Sequence, residues 1–180
     1  MPNIELNIKK HDKYFITPDY NNNNSRSYFK KIEKILEYGV KLLQFRSKNL
    51  SKDQYNNISK KIYDICIKYD SYYIINDFNN FKNNTYCEGG HLTSDNLLHY
   101  NSHNIPSDYI VVGSCHNEKE IDICNSNSFN FIVVSPIFDT GKKEGFGWDK
   151  FQYFTNKSSA PVFALGGMNY KRDINLVKEH

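Results

Sequence analysis

Seven short apolar segments alternate with segments of helical spacing, and this alternation constrains the fold more than any other sequence feature. Between the apolar segments, residues such as Phe29, Ile32 and Leu36 recur at intervals of three and four. Strands that are apolar throughout and separated by helices are typical of a parallel sheet covered on both faces. The predicted strands lie in YFIT, VKLLQFR, YYIIND, GGHLTS, YIVVGSC, FIVVSPIF and PVFALGG.

Helical spacing and capping residues place the predicted helices between these strands. One helix is predicted over Tyr28–Tyr38 and ends at Gly39, and the next begins after Ser51, whose hydroxyl can cap it. Later helices are predicted from about Asn117, over the segment GWDKFQYF, and from near Tyr170. Each helix can therefore connect one strand to the next parallel strand.

Polar residues stand where nearly every predicted strand ends, and they favour one of two parallel architectures. A doubly wound open sheet binds ligands mainly at one switch point, whereas a (β/α)8 barrel carries chemistry at its carboxyl strand ends generally. The sequence therefore predicts an α/β fold, a (β/α)8 TIM barrel. The polar residues are Thr17, Gln44, Arg46, Asn76, Asp77, His91, Thr93, Ser114, His116, Ser135, Gly166 and Gly167.

The strand count falls one short of a complete barrel. The chain stops at His180, in a segment that resembles the seventh helix cut short, so the eighth strand is missing. We expect a single barrel domain over residues 1–180. It is truncated at its C-terminus, open, or completed by a partner chain, and the sequence does not decide among these alternatives.

Charge and cysteine content exclude several classes of function. The chain has 23 Lys and Arg against 20 Asp and Glu, a near balance that argues against a nucleic-acid binder. No apolar run approaches the roughly 18 residues of a membrane helix, and the N-terminus lacks a secretory signal. The four cysteines form no Cys-x-x-Cys pair, so neither a zinc site nor a disulfide framework is expected. We predict a soluble, cytoplasmic protein.

The end of the second strand carries the clearest local signal for an anion. In the segment GVKLLQFRSKNL, the polar residues Gln44, Arg46 and Lys48 occur at every second position, so an extended strand would present them on one face. Arg can fork onto phosphate oxygens while Lys adds a point charge. Gln44 could orient a heterocycle through its amide. The alternative is a solvated strand end.

Two further strand ends carry candidates for binding and acid–base chemistry. Asn76 could hold a phosphate or a ring and Asp77 a Mg²⁺ ion, although Asn-Asp after a strand is also ordinary turn chemistry. His116 could act as a general acid or base, or could cap a helix. The neighbouring Cys115 should point to the opposite face of the strand, so we do not expect a Cys–His nucleophile pair.

The segment SPIFDTGKKEGFGWDKF and the later ALGGM indicate a second anion site. The length of the first segment suggests a mobile cover, and Thr140 and Lys143 are candidate phosphate ligands within it. Gly166 and Gly167 would let backbone amides approach a phosphate closely. Two anion sites imply a pair of substrates or one substrate with two anionic groups.

These segments, in this order, resemble the thiamine phosphate synthase/TenI family. The resemblance covers about Tyr14–Met168 in YFITPD, GVKLLQFRSKNLS, YYIIND, EGGHLTSDNL, VVGSCHNEKE, VVSPIFDTGKKEG and PVFALGGM. The phrases HLTS, SCH, GW and ALGGM are most similar to the synthase-like domain that some bacteria fuse to a Nudix (MutT-type) hydrolase. The synthase joins hydroxymethylpyrimidine diphosphate to a thiazole phosphate in thiamine biosynthesis, with release of diphosphate.

The resemblance assigns roles to individual residues. Gln44 and Ser114 would hold the pyrimidine, and Asp77 would bind Mg²⁺. Thr140 and the amides of Gly166 and Gly167 would hold the thiazole phosphate. Asn76 would hold the diphosphate with three cations. The expected catalytic residues are those cations, with His116 as the acid–base that the tautomerase alternative needs: Arg46, Lys48, Lys143 and His116.

The sequence departs from the family pattern at the metal site, in the loop and at its end. The second Mg²⁺ aspartate falls at Asn96, with Asp95 beside it, and Lys142 replaces a second loop threonine. Loss of the metal site points towards the TenI branch of the family. Its members are thiazole tautomerases, which need a general acid–base residue such as His116. We favour the synthase, with a tautomerase or a non-catalytic precursor-binding relative as alternatives, and expect a homodimer from the family.

Overall fold

The structure, a computed structural model, describes residues 10–76, 86–100, 106, 108–169 and 172–173. The chain divides into two compact units. The first unit comprises residues 1–91 and 106–110, and the second comprises residues 92–105 and 111–180. Asp77 and the predicted start of the last helix at Tyr170 lie outside the described residues.

Strands and long helices alternate in the first unit, as predicted. A short 3₁₀ turn, Asn22–Asn24, precedes the first α-helix. The elements in chain order are β1 (Tyr14–Ile16), α1 (Ser25–Glu37), β2 (Leu42–Phe45), α2 (Lys52–Lys68), β3 (Tyr72–Asn76) and β4 (Gly89–Leu92).

The second unit continues the same alternation with shorter helices. Its elements are α3 (Ser94–Leu98), β5 (Ile110–Cys115), α4 (Glu118–Ser126), β6 (Phe131–Val134), α5 (Gly147–Lys157) and β7 (Val162–Ala164). The last residue of β4, Leu92, belongs to the second unit, and the first residue of β5, Ile110, belongs to the first.

The strands follow chain order in the sheet, from β1 to β7. Within the first unit the paired strands β1–β2, β2–β3 and β3–β4 are all parallel, and so are β5–β6 and β6–β7 in the second unit. This is the strand order and direction of a TIM barrel, and the predicted fold class is confirmed. The described residues contain seven of its eight strands, as the strand count predicted.

Strand β2 directs a core side chain to one face and a polar side chain to the other. All four of its residues are buried. Phe45 faces α2, because its ring stacks on Tyr55 at a centroid distance of 4.6 Å. Gln44, the preceding residue, points to the opposite face, since strand side chains alternate. The strand ends at Phe45, so Arg46 and Lys48 follow in a loop and the predicted strand does not extend to them.

Helix α2 begins as the sequence predicts. The hydroxyl of Ser51 accepts the backbone N–H of Gln54, and the Gln54 side chain accepts the N–H of Ser51 in return. This reciprocal capping satisfies two backbone donors that a helix start would otherwise leave open. Helix α1 instead begins at Ser25, three residues before the predicted start at Tyr28.

Two glycines allow neighbouring elements to approach more closely than any side chain would permit. A Cβ atom at Gly89 would lie 2.4 Å from the carbonyl oxygen of Ile110, and one at Gly113 would lie 2.5 Å from Sγ of Cys124. The first contact draws β4 against the start of β5 within the first unit. The second lets α4 lie directly on β5 in the second unit.

None of the helices in the described part of the chain is long and apolar enough to cross a membrane.

Candidate active site at the carboxyl ends of the strands

In the first unit, the ends of β1 and β2 are tied together through Thr17. Its backbone N–H donates to the carbonyl of Gln44 at 2.9 Å, and its hydroxyl oxygen accepts the N–H of Arg46 at 3.0 Å. Thr17 is almost fully buried. The backbone at Arg46 is therefore held in place where the strand ends, and its half-buried side chain begins from a fixed point.

Gln44 is a buried amide with one unsatisfied end. Its Nε2 donates to Oδ1 of Asn76 at 2.7 Å, whereas its Oε1 accepts no hydrogen bond from the described residues, although Gln44 is only 1% exposed. A buried acceptor without a donor costs about 1–3 kcal/mol. Because Asn76 fixes the amide, Gln44 presents an acceptor and would be satisfied by a ligand that carries an N–H or O–H group.

His91 adds a neutral imidazole to this group of residues. Its Nδ1 lies 3.0 Å from the hydroxyl of Tyr14, and the two rings stack. Burial first, and the positive charge of Arg46 second, lower the pKa of His91 to about 3. Burial also raises the pKa of the Tyr14 hydroxyl well above its usual value. Both side chains are therefore uncharged at neutral pH, and the effect of Arg46 on His91 indicates that its cation lies close by.

The buried His91 should make the protein less stable as the pH falls. In the unfolded chain it takes up a proton near pH 6.5, whereas in the folded chain it does so only near pH 3. The unfolded state therefore binds more protons than the folded state between these two pH values. As the pH falls below 6.5, the contribution of His91 to the free energy of unfolding drops by about 1.4 kcal/mol per pH unit. NMR titration of the His91 ring should show no protonation between pH 7 and 5, and a midpoint near 6.5 would contradict the prediction.

Lys48 lies in the exposed loop after β2. Its side chain is exposed, and its backbone N–H donates to Oδ1 of Asp19 at 2.9 Å. The structure therefore brings Gln44 and Asn76 into direct contact but leaves Lys48 on the exposed loop. Its assignment as an anion ligand stays a prediction.

In the second unit, His116 is oriented by a backbone carbonyl. Its Nδ1 lies 2.5 Å from the carbonyl oxygen of Ser135 at the end of β6. A carbonyl can only accept, so Nδ1 carries the proton and donates it. In the neutral ring Nε2 then carries the lone pair, which is the arrangement that a general base requires.

A buried carboxylate, Glu120, ties together two strand-end turns. Its Oε2 accepts the backbone N–H of His116 at 2.6 Å, and its Oε1 accepts a short hydrogen bond from the hydroxyl of Ser94. Glu120 is 5% exposed. The sequence pattern does not single out Glu120, because an acid in the first turn of a helix is usually a solvated dipole partner. Only the tertiary contact with Ser94 distinguishes it.

Replacing Glu120 with alanine should lower the free energy of unfolding more than replacing an exposed acid does. Hydrogen bonds to a charged group contribute about 1.5–3 kcal/mol each, and the variant would leave both donors without their acceptor. We expect Glu120→Ala to lower the free energy of unfolding in urea by at least about 2 kcal/mol. Glu118→Ala, which removes an exposed acid from the same turn, should cost less than about 1 kcal/mol. Equal costs would contradict the anchoring role.

The loop after β6 is held by its own hydrogen bonds. Oδ1 of Asp139 accepts the N–H of Gly145 at 2.6 Å, and the hydroxyl of Thr140 accepts the N–H of Lys143 at 3.2 Å. Thr140 and Lys143 are exposed at its tip. The Thr140 hydroxyl hydrogen points towards the carbonyl of Lys143 at 3.4 Å, a weak contact that a phosphate oxygen could replace.

Gly166 and Gly167 form a turn that no other residue could adopt without strain. Their φ angles are 92° and 66°, and a Cβ at Gly167 would lie 2.5 Å from the carbonyl oxygen of Phe138. The carbonyl of Gly166 accepts the N–H of Phe138 at 3.0 Å. The N–H groups of both glycines have no acceptor in the part of the chain that the structure describes, so they remain available to an anion.

Ser114 and Cys115 behave differently, although they are adjacent in β5. Ser114 is half-buried, whereas Cys115 is fully buried, with its Sγ 3.7 Å from Sγ of Cys124. Hydrogen bonding to Cys124 and burial both raise the pKa of Cys115, so the thiol stays protonated. Cys115 therefore packs against α4 and forms no nucleophile pair with His116, as the alternation of β5 predicted.

The expected metal position in the described residues holds an amide. Oδ1 of Asn96 accepts a hydrogen bond from the hydroxyl of Thr93 at 3.0 Å. The oxygen of the same hydroxyl accepts the backbone N–H of Asn96 and so caps the helix. Asp95 is exposed. Within the described ranges, no group of three or more His, Cys, Asp or Glu side chains could hold a metal ion.

Parallel strands with intervening helices, and polar groups at their carboxyl ends, define this protein as a TIM-barrel protein whose strand ends can bind a ligand. A sequence model described as thiamine monophosphate synthase matches residues 13–180. The chain belongs to this TMP-TENI family.

Curated relatives support the same assignment over different shares of their length. The chain is 31% identical over 148 residues to a thiamine-phosphate synthase of Prochlorococcus marinus, which covers 80% of this chain and 42% of the relative. It is 27% identical over 161 residues to a thiamine-phosphate synthase of Fusobacterium nucleatum, which covers 87% of this chain and 78% of the relative. The chain thus spans less than half of the first relative and about three quarters of the second.

A solved structure has the same fold. The thiamine phosphate pyrophosphorylase from Pyrococcus furiosus superposes with a TM-score of 0.76 at 18% identity, over 92% of this chain and 79% of that chain. At this identity the likeness establishes the fold alone, which supports the TIM-barrel assignment from sequence.

Proposed function

We propose that this protein is a thiamine phosphate synthase, a transferase of thiamine biosynthesis. The observation that carries this proposal is the unsatisfied acceptor of Gln44, buried at the end of β2 with its amide fixed by Asn76. The pyrimidine of thiamine carries an exocyclic amino group, which is a donor of the kind that this acceptor needs. Arg46 follows two residues later, where a diphosphate on the same substrate would require a cation.

In the proposed reaction the pyrimidine substrate loses diphosphate before the thiazole reacts. The bond between the pyrimidine methylene carbon and the diphosphate oxygen breaks, and its electron pair leaves with diphosphate. The thiazole nitrogen then adds to the resulting cation. Arg46, Lys48 and Lys143 would stabilise the departing diphosphate, which is where negative charge develops. Gln44 and Ser114 would orient the ring, while Thr140 and the amides of Gly166 and Gly167 would hold the thiazole phosphate.

Mg²⁺ is the cofactor that the family implies, but the described residues do not fit a site built from two carboxylates. Asn96 presents a neutral oxygen that is already engaged by Thr93. The proposal of a Mg²⁺ site therefore depends on Asp77, which lies outside the described residues. Neutral amide oxygens are weaker partners for a hard dication than carboxylates, so any Mg²⁺ bound here should dissociate more readily.

A thiazole tautomerase is the second candidate, and one observation favours it. The Nδ1 proton of His116 is donated to the carbonyl of Ser135, which leaves Nε2 as a base for moving a proton on a thiazole carboxylate phosphate. A non-catalytic precursor-binding relative, which the substitution at Asn96 suggests, is the third candidate. It would bind these ligands without turnover.

His116→Ala separates the two enzymatic candidates. Removing a general base typically lowers a proton-transfer rate by about 10²–10⁴-fold, so tautomerase activity should fall by that factor. Synthase activity should change less than about tenfold, because the His116 side chain has no assigned role in diphosphate departure. A large loss of synthase activity with unchanged proton transfer would reverse these assignments.

Several finer features belong to the same proposal. We propose a single barrel domain over residues 1–180, a cytoplasmic location and a homodimer. We also retain the closer likeness to the synthase-like domain fused to Nudix hydrolases as a hypothesis, which rests on the segments HLTS, SCH, GW and ALGGM.

Calorimetric titration of hydroxymethylpyrimidine diphosphate, with and without Mg²⁺, tests the proposed function. We expect binding in both conditions and turnover when thiazole phosphate is added. An analogue with a ring carbonyl in place of the amino group should bind at least about 10²-fold more weakly, because it would set an acceptor against Gln44. Failure to bind the diphosphate in either condition would overturn the synthase proposal.

A further inference from the structure

The thiazole phosphate site proposed above contains only neutral donors. A phosphate monoester carries nearly two negative charges at neutral pH. The hydroxyl of Thr140 and the amides of Gly166 and Gly167 can donate hydrogen bonds, but they bring no positive charge, and Lys143 is assigned to the diphosphate. A held cation near the Gly166–Gly167 turn would supply the missing charge.

Arg172 is a cation that contacts this region in the described residues. Its guanidinium carbon lies 4.6 Å from the centre of the Phe138 ring. Phe138 is bonded to the glycine turn, because its N–H donates to the carbonyl of Gly166 and its own carbonyl lies against Gly167. Arg172 thus stacks on the residue that joins the β6 loop to the turn after β7.

A buried carboxylate fixes one edge of the guanidinium. Nε and Nη2 of Arg172 donate to the two oxygens of Asp173, the second at 2.9 Å. Asp173 is fully buried and also accepts the N–H of Asn169 at 2.7 Å. The hydrogen bond from Arg172 lowers the pKa of Asp173, so the carboxylate remains charged. One edge of the Arg172 fork is therefore paired with a buried carboxylate.

The opposite edge of the fork is open. A guanidinium has five N–H donors, and Asp173 takes two of them. Nη1 has no acceptor in the part of the chain that the structure describes, and the side chain is 59% exposed. The Phe138 ring supports the face of the guanidinium and Asp173 pairs with one of its edges. The other edge can therefore bind a planar or tetrahedral oxyanion.

We propose that Arg172 is a ligand of the phosphate monoester, acting with the Gly166–Gly167 turn. This rests on the proposed function for the identity of the second substrate, but phosphate binding itself does not require turnover. The competing source of charge is Lys142, which is exposed at the tip of the β6 loop.

The test compares Arg172→Ala, Arg172→Gln and Lys142→Ala with the wild type. Arg172→Gln retains an amide donor for Asp173, so it guards against loss of folding, which urea unfolding would report. Lys150→Ala is the matched control, since Lys150 is an exposed cation that lies over Phe154 in the same unit. Two quantities are measured: the Kd for inorganic phosphate by ³¹P NMR, and the KM for each substrate.

We expect both Arg172 variants to raise the KM for thiazole phosphate and the Kd for phosphate at least tenfold. The KM for the pyrimidine diphosphate should stay within about twofold, and Lys150→Ala should change neither. Turnover with an unchanged KM in Arg172→Gln, or a tenfold effect in Lys142→Ala alone, would overturn this inference and leave the proposed function standing. Phosphate binding that depends on Arg172, without any turnover, would support this inference and overturn the proposed function. Wild-type protein that neither binds phosphate nor turns over the substrates would overturn the inference and the proposed function together.

Discussion

Arg46→Ala is expected to lower kcat/KM for hydroxymethylpyrimidine diphosphate by about 10²–10³-fold, the loss typical of removing one group that stabilises developing charge. The physical reason is that the backbone of Arg46 is anchored by Thr17, so in the proposed site the guanidinium would reach the diphosphate from a fixed strand end. Steady-state kinetics with saturating thiazole phosphate would measure the effect. The matched control is Arg26→Ala, which removes an exposed cation from α1 in the same unit.

A second readout of Arg46→Ala does not depend on the identity of the substrate. The Arg46 cation contributes to lowering the pKa of His91, after burial. Removing it should therefore raise the pKa of His91, whereas Arg26→Ala should leave it unchanged. If the pKa rises but kinetics are normal, Arg46 lies where the structure has it and binds no diphosphate. If neither changes, the Arg46 cation lies away from both His91 and the substrate.

The elements of this fold could be predicted because local patterns determine them. The apolar runs gave all seven strands, and Ser51 gave the start of α2 through its capping geometry. The errors lie at element ends, where local patterns are weakest. Strand β2 stops at Phe45, although the alternation of polar residues continues through Lys48. A loop can repeat a period of two without being a strand, and sequence alone does not distinguish them.

The contacts of the candidate site could not be predicted, because they depend on register between distant segments. Gln44 was recognised as a polar residue in a buried strand. Its contact with Asn76 follows from the parallel pairing in which Gln44 is level with Ile74, two residues before Asn76. The hydrogen bond to Oδ1 of Asn76 uses the amide nitrogen of Gln44, so the oxygen is the unsatisfied atom. That orientation decides whether a ligand must donate or accept, and no motif encodes it.

Glu120 and Asp173 were missed for a related physical reason. Both are carboxylates in polar segments, where a solvated side chain is the usual expectation. Burial becomes tolerable because each carboxylate has donors: the distant Ser94 and the nearby His116 N–H for Glu120, and the adjacent Arg172 for Asp173. A buried acid with several donors is thus a signal that appears only in the folded chain. Both residues anchor turns that follow strands.

Phe45→Ala is expected to lower the free energy of unfolding by about 3–5 kcal/mol, the range for truncating a buried phenylalanine. Phe45 is fully buried, and its ring stacks on Tyr55 of α2. Against a total of about 5–15 kcal/mol for a typical domain, this is a large fraction. Urea unfolding would measure it. Phe45→Leu should cost about 1.5 kcal/mol or less, because most of the volume is kept.

An exposed aromatic residue provides the control for loss of ring area alone. Tyr38 is 83% exposed, so Tyr38→Ala should change stability by no more than about 0.5 kcal/mol. The informative comparison is with Arg46→Ala. Phe45 faces α2, and its neighbour Gln44 faces Asn76, so adjacent residues of one strand serve the core and the site. Phe45→Ala should therefore lose stability while its folded fraction keeps the wild-type KM, and Arg46→Ala should lose activity while it keeps its stability. A Phe45→Ala variant that unfolds normally but binds substrate poorly would mean that the two faces of β2 are not separate.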